Sequence, residues 1–462
     1  MNKSALFAFV KSDSIDDLIK ASEVKTREDI VRLQSKDYSI GFTFDELKKV
    51  FPKKITDNLF YNNGFDKTFY YDKEQFVLFP VPIYGTAMIE SYNEIAEMVL
   101  RKAEILEKGI ETGDYFPTLL VLGDKMRMQM LNKLIEQDKS SEPYSLFASV
   151  YNTSDYGCSE LSKTSIKKLA MCKTAKQKAE TAKRLSGFPD KVTVYRGEGD
   201  RSAKWQDSVS WTTNINTANF FAARLPSNNA VIHIAQADKK DIIEYFKVEN
   251  ECIILPENIR LTESIEIKGL DFLGEYIPKV SGKYMEYRNR MLDDLKFEID
   301  DGEHDRLHTL RVLLNALLIA KQRGLTDADT DKLCTAAIFH DVGRINNGDD
   351  DQHGRQSAEY YRDFARHYGG YDKTVDNLII YHCLPDYVGK KAMPKSDWEM
   401  YDILKDADAL DRVRFGIEAL DINQLRTPEA KTMTMIAEQI IQGVKLPEPE
   451  LEQETSQGME MQ

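Results

Sequence analysis

Six of the seven histidines fall between His304 and His382. Histidine is the commonest metal ligand and the side chain best suited to proton transfer near neutral pH, so chemistry is expected in this stretch. His308 lies on an expected helix over Arg306–Lys321, and His340 and Asp341 are neighbours at the end of a second helix, just before Gly343. His353 follows Asp349-Asp350-Asp351, and His382 sits in the apolar stretch Leu378–Cys383. The run Lys405-Asp406-Ala407-Asp408-Ala409-Leu410-Asp411 adds three carboxylates. Successive helical residues point about 100° apart, so positions 340 and 341 reach one ion most easily at a helix terminus. Mixed imidazole and carboxylate donors suit a divalent transition metal or Mg²⁺ and the activation of water for hydrolysis.

A second constellation occupies the middle of the chain. Tyr195-Arg196-Gly197 ends a strand that starts at Lys191, and Ser210-Trp211-Thr212-Thr213 starts the next element. Ala218-Asn219-Phe220-Phe221-Ala222 follows as a helix, and Glu249-Asn250-Glu251 opens a further strand. Alternation places Glu249 and Glu251 on one face of that strand, so both carboxylates can point into a single cleft. An arginine fork suits a phosphate-bearing substrate. A carboxylate beside a ribose hydroxyl stabilises oxocarbenium character, as in glycoside cleavage.

The ordered set His308, Phe339-His340-Asp341-Val342-Gly343-Arg344, His353-Gly354, His382 and Asp406-Ala407-Asp408 resembles the HD-domain metal-dependent phosphohydrolases, over roughly residues 285–425. That family is all-helical and hydrolyses phosphomonoesters, phosphodiesters or nucleotides. The resemblance implies His308, His340, Asp341 and Asp408 as core ligands, with Asp408 favoured over Asp406. It gives His353 and His382 to a second ion bridged through Asp341. One or two ions fit, and Mn, Fe, Mg, Ni and Co are equally acceptable. His304 and His367 are expected at the surface.

The middle set resembles the mono-ADP-ribosyltransferases of the arginine–serine–glutamate class, over about 190–275, with a helical lobe from Tyr144. Ser210-Trp211-Thr212 stands where that class often has Ser-Thr-Ser. The resemblance implies NAD as substrate, contacted by Arg196, Gly197, Ser210 and Trp211. Ser210 would orient the catalytic Glu251, which promotes loss of nicotinamide, and Glu249 would engage the acceptor. Asp238–Val248, with Tyr245 and Phe246, would shape acceptor choice.

The elements that must position these groups form a multidomain α+β chain. A helix-rich region of unassigned role is expected over 1–143, with capping-like starts at Ser14 and Thr43, a long helix over Ala87–Ile110 and a strand within Glu74–Tyr84 that ends at Pro80. An ADP-ribosyltransferase-like domain built on a small β-sandwich is expected over 144–278, and an all-α HD domain over 282–425, helical again after Pro278. The tail 446–462, acidic and poor in core formers, is expected to be disordered. The lysine-rich segment Lys167–Arg184 is read as the solvated face of a helix.

With 462 residues and a net charge of 62 − 76 = −14, the chain has room for several domains and no general pull toward nucleic acid. No apolar run approaches the ~20 residues of a membrane span. Five cysteines without a CxxC pair suggest a reducing compartment. That fits a bacterial cytoplasm, or a host cytosol if the protein is a secreted effector or toxin. The expected partners are a protein or other macromolecular acceptor of ADP-ribose and a nucleotide or phosphoester. The alternative reading keeps only the HD hydrolase active, with the middle domain binding nucleotide or protein without chemistry.

Overall fold

The computed structural model describes residues 19–33, 43–61, 68–72, 77–81 and 92–444, apart from 123, 139, 152, 155–159, 298, 300–303 and 349. The Ser14 start and the 446–462 tail lie outside these residues. In the N-terminal region Thr43 starts a helix with a complete capping box, its hydroxyl accepting from Glu46 N while the Glu46 carboxylate accepts from Thr43 N. The long expected helix is α1 (Tyr92–Thr112). This region is not helices alone. Strands β1 (Ile19–Lys20), β2 (Leu59–Tyr61), β3 (Thr68–Asp72) and β4 (Val77–Val81) form an antiparallel sheet in sequence order. Pro80 lies inside β4, opposite Phe69, because an edge strand can carry a residue without an N–H.

Helices α2 (Pro143–Tyr151), α3 (Lys163–Cys172) and α4 (Ala175–Arg184) make the lobe that precedes the middle sheet. Phe147, Val150, Tyr151, Ile166 and Leu169 share one apolar core with the N-terminal region and with Val209 and Ile253 of the sheet. The lysine-rich segment is two helices, because Thr174 caps a fresh start at Ala175. Nor is it wholly solvated. Lys173 is buried between them, its ammonium 2.6 Å from Thr181 Oγ1 and 3.4 Å from the buried Glu244 carboxylate.

The six middle strands are β5 (Lys191–Glu198), β6 (Ser210–Thr212), β7 (Val231–Asp238), β8 (Ile242–Phe246), β9 (Glu251–Ile254) and β10 (Arg260–Glu266). They form one antiparallel sheet in the order β10-β7-β5-β6-β9-β8. The expected β-sandwich is therefore corrected to a single hydrogen-bonded sheet, although its two three-stranded halves meet at one ladder pair only, Tyr195 with Thr212. Helix α5 (Ile215–Ala223) packs directly on β5. A Cβ on Gly197 would lie 2.0 Å from the Ala218 carbonyl, so only glycine permits this approach.

Helix α6 (Leu270–Asp294) continues through Pro278, although helix was expected only after that residue. The proline forfeits one bond to the Gly274 carbonyl, and burial of Phe272, Val280, Tyr287 and Met291 outweighs that loss. Further helices follow: α7 (Arg306–Arg323), α8 (Asp327–Phe339), α9 (His353–Tyr368), α10 (Lys373–Tyr381) and α11 (Trp398–Leu410). Helix α7 is central, buried without a gap from His308 to Ala320. The same apolar core takes in Ala218, Ala222 and Ala223 of α5 and Ile232 of β7. No helix among the described residues is long and apolar enough to cross a membrane.

Candidate metal centre and a second cleft

Each histidine of the centre is presented by a helix end or a buried helix face. Asp305 caps α7 by accepting from His308 N at 2.9 Å, and the ring above it is wholly buried. Helix α8 ends at His340, whose Nδ1 donates to the Ala337 carbonyl at 2.7 Å. His382 follows α10 in the same manner, with Nδ1 on the Ile379 carbonyl at 2.7 Å. Two glycines allow these ends to meet. A Cβ on Gly343 would lie 2.6 Å from the backbone of Gln356 and Ser357, and one on Gly354 would lie 2.6 Å from the Ile380 carbonyl.

The result is a convergence of ring nitrogens. His308 and His340 place their Nε2 atoms 3.2 Å apart, and His353 and His382 place theirs 3.0 Å apart. In His340 and His382 the Nδ1 proton is committed to a carbonyl, so Nε2 carries a lone pair. In His308, Nδ1 lies 2.8 Å from the Asp411 carboxylate. Asp341 sits between the pairs. Its Oδ2 is 3.6 Å from the Nε2 of both His308 and His340, and its Oδ1 is 3.3 and 3.4 Å from those of His353 and His382. Asp408 Oδ1 completes the first group, 3.4 Å from His308 Nε2.

Buried Asp341 Oδ1 has no hydrogen-bond donor. A cation would relieve that condition, and the donor set fits a divalent metal. The ligand atoms of His308, His340 and Asp408 lie within one coordination-sized cluster, as do those of His340, Asp341 and His382. The electrostatics agree. Burial works against an imidazolium at His308, but the Asp408 and Asp411 carboxylates outweigh it and raise the ring to about 9. Burial lowers His340 and His353 to about 4. Burial alone would raise Asp341, yet the surrounding imidazoles hold it well below the usual carboxylate range.

Several neighbours differ from expectation. His304 is not a surface residue: its Nδ1 donates to Asp341 Oδ2 at 2.9 Å and its Nε2 accepts from Arg344 at 3.3 Å. It stands four positions before His308, with the two ring centroids 5.2 Å apart. His367 is exposed, as expected. Asp406 points away from the histidines and caps the backbone of Arg426 and Thr427, which leaves Asp408 at the centre. Asp411 holds both His308 and the Arg311 guanidinium, a role visible in sequence only as a third acid in the 405–411 run.

The middle constellation also assembles. A cleft of about 670 Å³ is lined by Arg196, Gly197, Ser210, Trp211, Glu249 and Glu251. Ser210 Oγ donates to Glu251 Oε1. The Arg196 guanidinium is fixed against the sheet, with Nη1 on the Ser210 carbonyl at 2.9 Å and Nη2 on the Ala203 carbonyl at 3.0 Å. Gly197 serves the packing of α5, and Trp211 is almost wholly buried in the sheet core. The Glu249–Glu251 alternation does not hold, because β9 begins only at Glu251. Asn250 adopts a left-handed φ of 52° in the turn before it, and Glu249 reaches the same cleft from that turn. Burial raises the Glu251 carboxyl. The lining residues Phe220 and Phe221 on α5 and Tyr151 from the helical lobe carry no such expectation.

Residues 307–413 match the HD domain family, so this stretch of the chain is an HD domain. The match covers every histidine of the metal centre except His304, together with Asp341 and Asp408, and does not extend to the cleft. No curated protein and no solved structure matches the chain.

Proposed function

We propose that the HD domain is a metal-dependent phosphohydrolase acting on a nucleotide or another phosphoester, and that the cleft is an NAD-dependent mono-ADP-ribosyltransferase. One observation carries the first reading: each Asp341 oxygen faces its own pair of imidazole nitrogens, and one oxygen lacks any donor. One or two divalent ions held by His308, His340, Asp341, His353, His382 and Asp408 would supply hydroxide at neutral pH and polarise a phosphoryl oxygen. The chain's own groups do the aiming. The Ala337 and Ile379 carbonyls fix two imidazole tautomers, Asp411 fixes the His308 ring, and His304 steadies Asp341 from the side. The test is metal-stripped protein titrated with Mn²⁺ against a chromogenic phosphoester. Wild type should regain activity with ion bound, and Asp341→Ala should fall by about three orders of magnitude. Equal rates in the two proteins would sink the reading.

The transferase reading is favoured by Ser210 and Glu251 meeting beside Arg196 in one cleft. In the reaction the bond from the nicotinamide ring to ribose breaks with its electron pair leaving on nicotinamide. Glu251 stabilises positive charge on the ribose, and the acceptor forms the new bond and gives up a proton. The shared core of α5 and the HD helices makes coupled chemistry plausible: the HD centre would add water across the pyrophosphate of a transferred ADP-ribose, releasing AMP and leaving phosphoribose. Intact-mass measurement of acceptors with NAD tests this. Wild type should leave the phosphoribosyl mass and Asp341→Ala the full ADP-ribosyl mass. Identical products from both proteins reject the coupling. The alternative, a cleft that only senses nucleotide or protein, requires NAD to survive incubation intact.

A further inference from the structure

Glu251 accepts two hydroxyl groups, and both address the same oxygen. Ser210 Oγ and Tyr151 Oη each donate to Oε1, the latter at 2.7 Å across 100 residues of sequence. Among the described residues Oε2 receives no hydrogen bond, and Glu251 lines the cleft. Tyr151 closes α2 in the helical lobe, so one of the two donors comes from outside the sheet. Two aromatic neighbours, which also contact each other, pack against its ring. It stacks on Phe246 at 5.2 Å with an interplanar angle of 13°, and it lies 5.1 Å from the wholly buried Phe147. Tyr151 itself is 4% exposed. The phenol therefore has little freedom to leave the carboxylate, whereas Ser210 can turn about a single bond.

We propose that Tyr151 is a positioning residue for the transferase chemistry, pinning Glu251 Oε1 so that Oε2 is presented to a ribose hydroxyl of the substrate. This inference rests on the transferase reading above. A carboxylate free to rotate offers either oxygen in many directions, and two donors on one oxygen select a single rotamer with the other oxygen forward. The same bond serves ionisation. Burial disfavours the charged form of Glu251, and the two hydroxyls oppose that burial by stabilising the carboxylate. Phe246 ends β8, directly before the turn that carries Glu249, so the stacked pair also ties the helical lobe to the acceptor side of the cleft.

The test compares full-length wild type, Tyr151→Phe and Glu251→Gln for nicotinamide release from NAD, with water as acceptor and, in a parallel arm, with a simple guanidino compound. Tyr151→Phe keeps the stacked ring and loses only the hydroxyl. Its kcat should fall by about tenfold to a hundredfold with KM for NAD little changed. The acid limb of its pH–rate profile should move up by about one unit, because the carboxylate has lost a donor. A purely structural role would lower the melting temperature and the active fraction without moving that limb. Tyr151→Phe with wild-type kcat and an unmoved limb, in a protein whose wild type releases nicotinamide, overturns this inference and leaves the transferase reading intact. Failure of wild type to release nicotinamide in either arm overturns both.

Discussion

The metal centre and the cleft solve the same problem, holding carboxylates in a desolvated place, by opposite means. At the centre Asp341 is surrounded by imidazoles, and those of His308, His340 and His382 are fixed through the far nitrogen to a carbonyl or carboxylate. The rings sit at helix ends inside one continuous core, and most are wholly or nearly wholly buried. In the cleft Glu251 is held by two neutral hydroxyls, one from strand β6 and one from the helical lobe. The first site gathers donors that fit a cation. The second leaves one carboxylate oxygen without a donor among the described residues, in a carboxyl that burial raises. A charged site can thus be preorganised by charge or by dipoles, and the choice fixes what each will bind.

The widest separation between the two sites is expected from Glu251→Gln. Loss of the carboxylate removes the charge that would stabilise the ribosyl cation while keeping size and hydrogen-bonding reach. Nicotinamide release should fall by roughly a hundredfold or more, and metal-dependent phosphoester hydrolysis should stay at the wild-type rate. If hydrolysis falls in parallel, the two regions share a single active site and the comparison fails.

A smaller effect is expected at Asp411. It touches no substrate but holds His308 Nδ1 at 2.8 Å and the Arg311 guanidinium at 3.0 Å. Asp411→Asn should weaken metal affinity or activity about tenfold to a hundredfold, the usual cost of losing a carboxylate behind a ligating histidine. Calorimetric titration with Mn²⁺ reads the affinity, and a melting curve reports any cost from the buried Arg311. Unaltered affinity would show that His308 is oriented by packing alone.

The sequence is far more informative about the first site than about the second, for a physical reason. Metal ligation demands rare residue types, so six histidines crowded into one stretch announce themselves, and helix periodicity then indicates where the rings sit. Asp408 and Asp406 are chemically alike, and only the fold of Arg426 and Thr427 onto Asp406 separates them. His304 is misplaced because its contact with Asp341 depends on tertiary packing between residues far apart in sequence. The cleft uses common residues set by strand register, and register is where sequence reading is weakest. Glu249 and Glu251 look like alternate strand positions until Asn250 takes a left-handed turn. Tyr151 has no motif at all; its approach to Glu251 depends on packing among Phe147, Phe246 and the N-terminal core. The long helix through Pro278 follows the same rule, since the proline suggests a helix that starts only after it and burial extends the helix upstream.

The smallest effect belongs to the joint between the regions. Asn216 on α5 gives its amide hydrogens to Asp421 at 2.8 Å and takes the Ile422 N–H at 3.0 Å, so a single side chain fastens the helix beside the cleft to the segment following the HD helices. Asn216→Ala removes both bonds and leaves the Ile422 N–H partly buried without its acceptor. The cost should be about 1–2 kcal/mol, since the site is only partly buried and water can replace some of what is lost. In a chain of this size that is a fall of a few degrees in melting temperature, about 2–4 °C per kcal/mol at most. Because α5 also packs through Ala218, Ala222 and Ala223 into the shared core, neither rate constant should change by more than about twofold. A selective loss of nicotinamide release would show that the cleft takes its shape from this polar joint. Loss of both activities at an unchanged melting temperature would show that the two sites respond to one movement of α5.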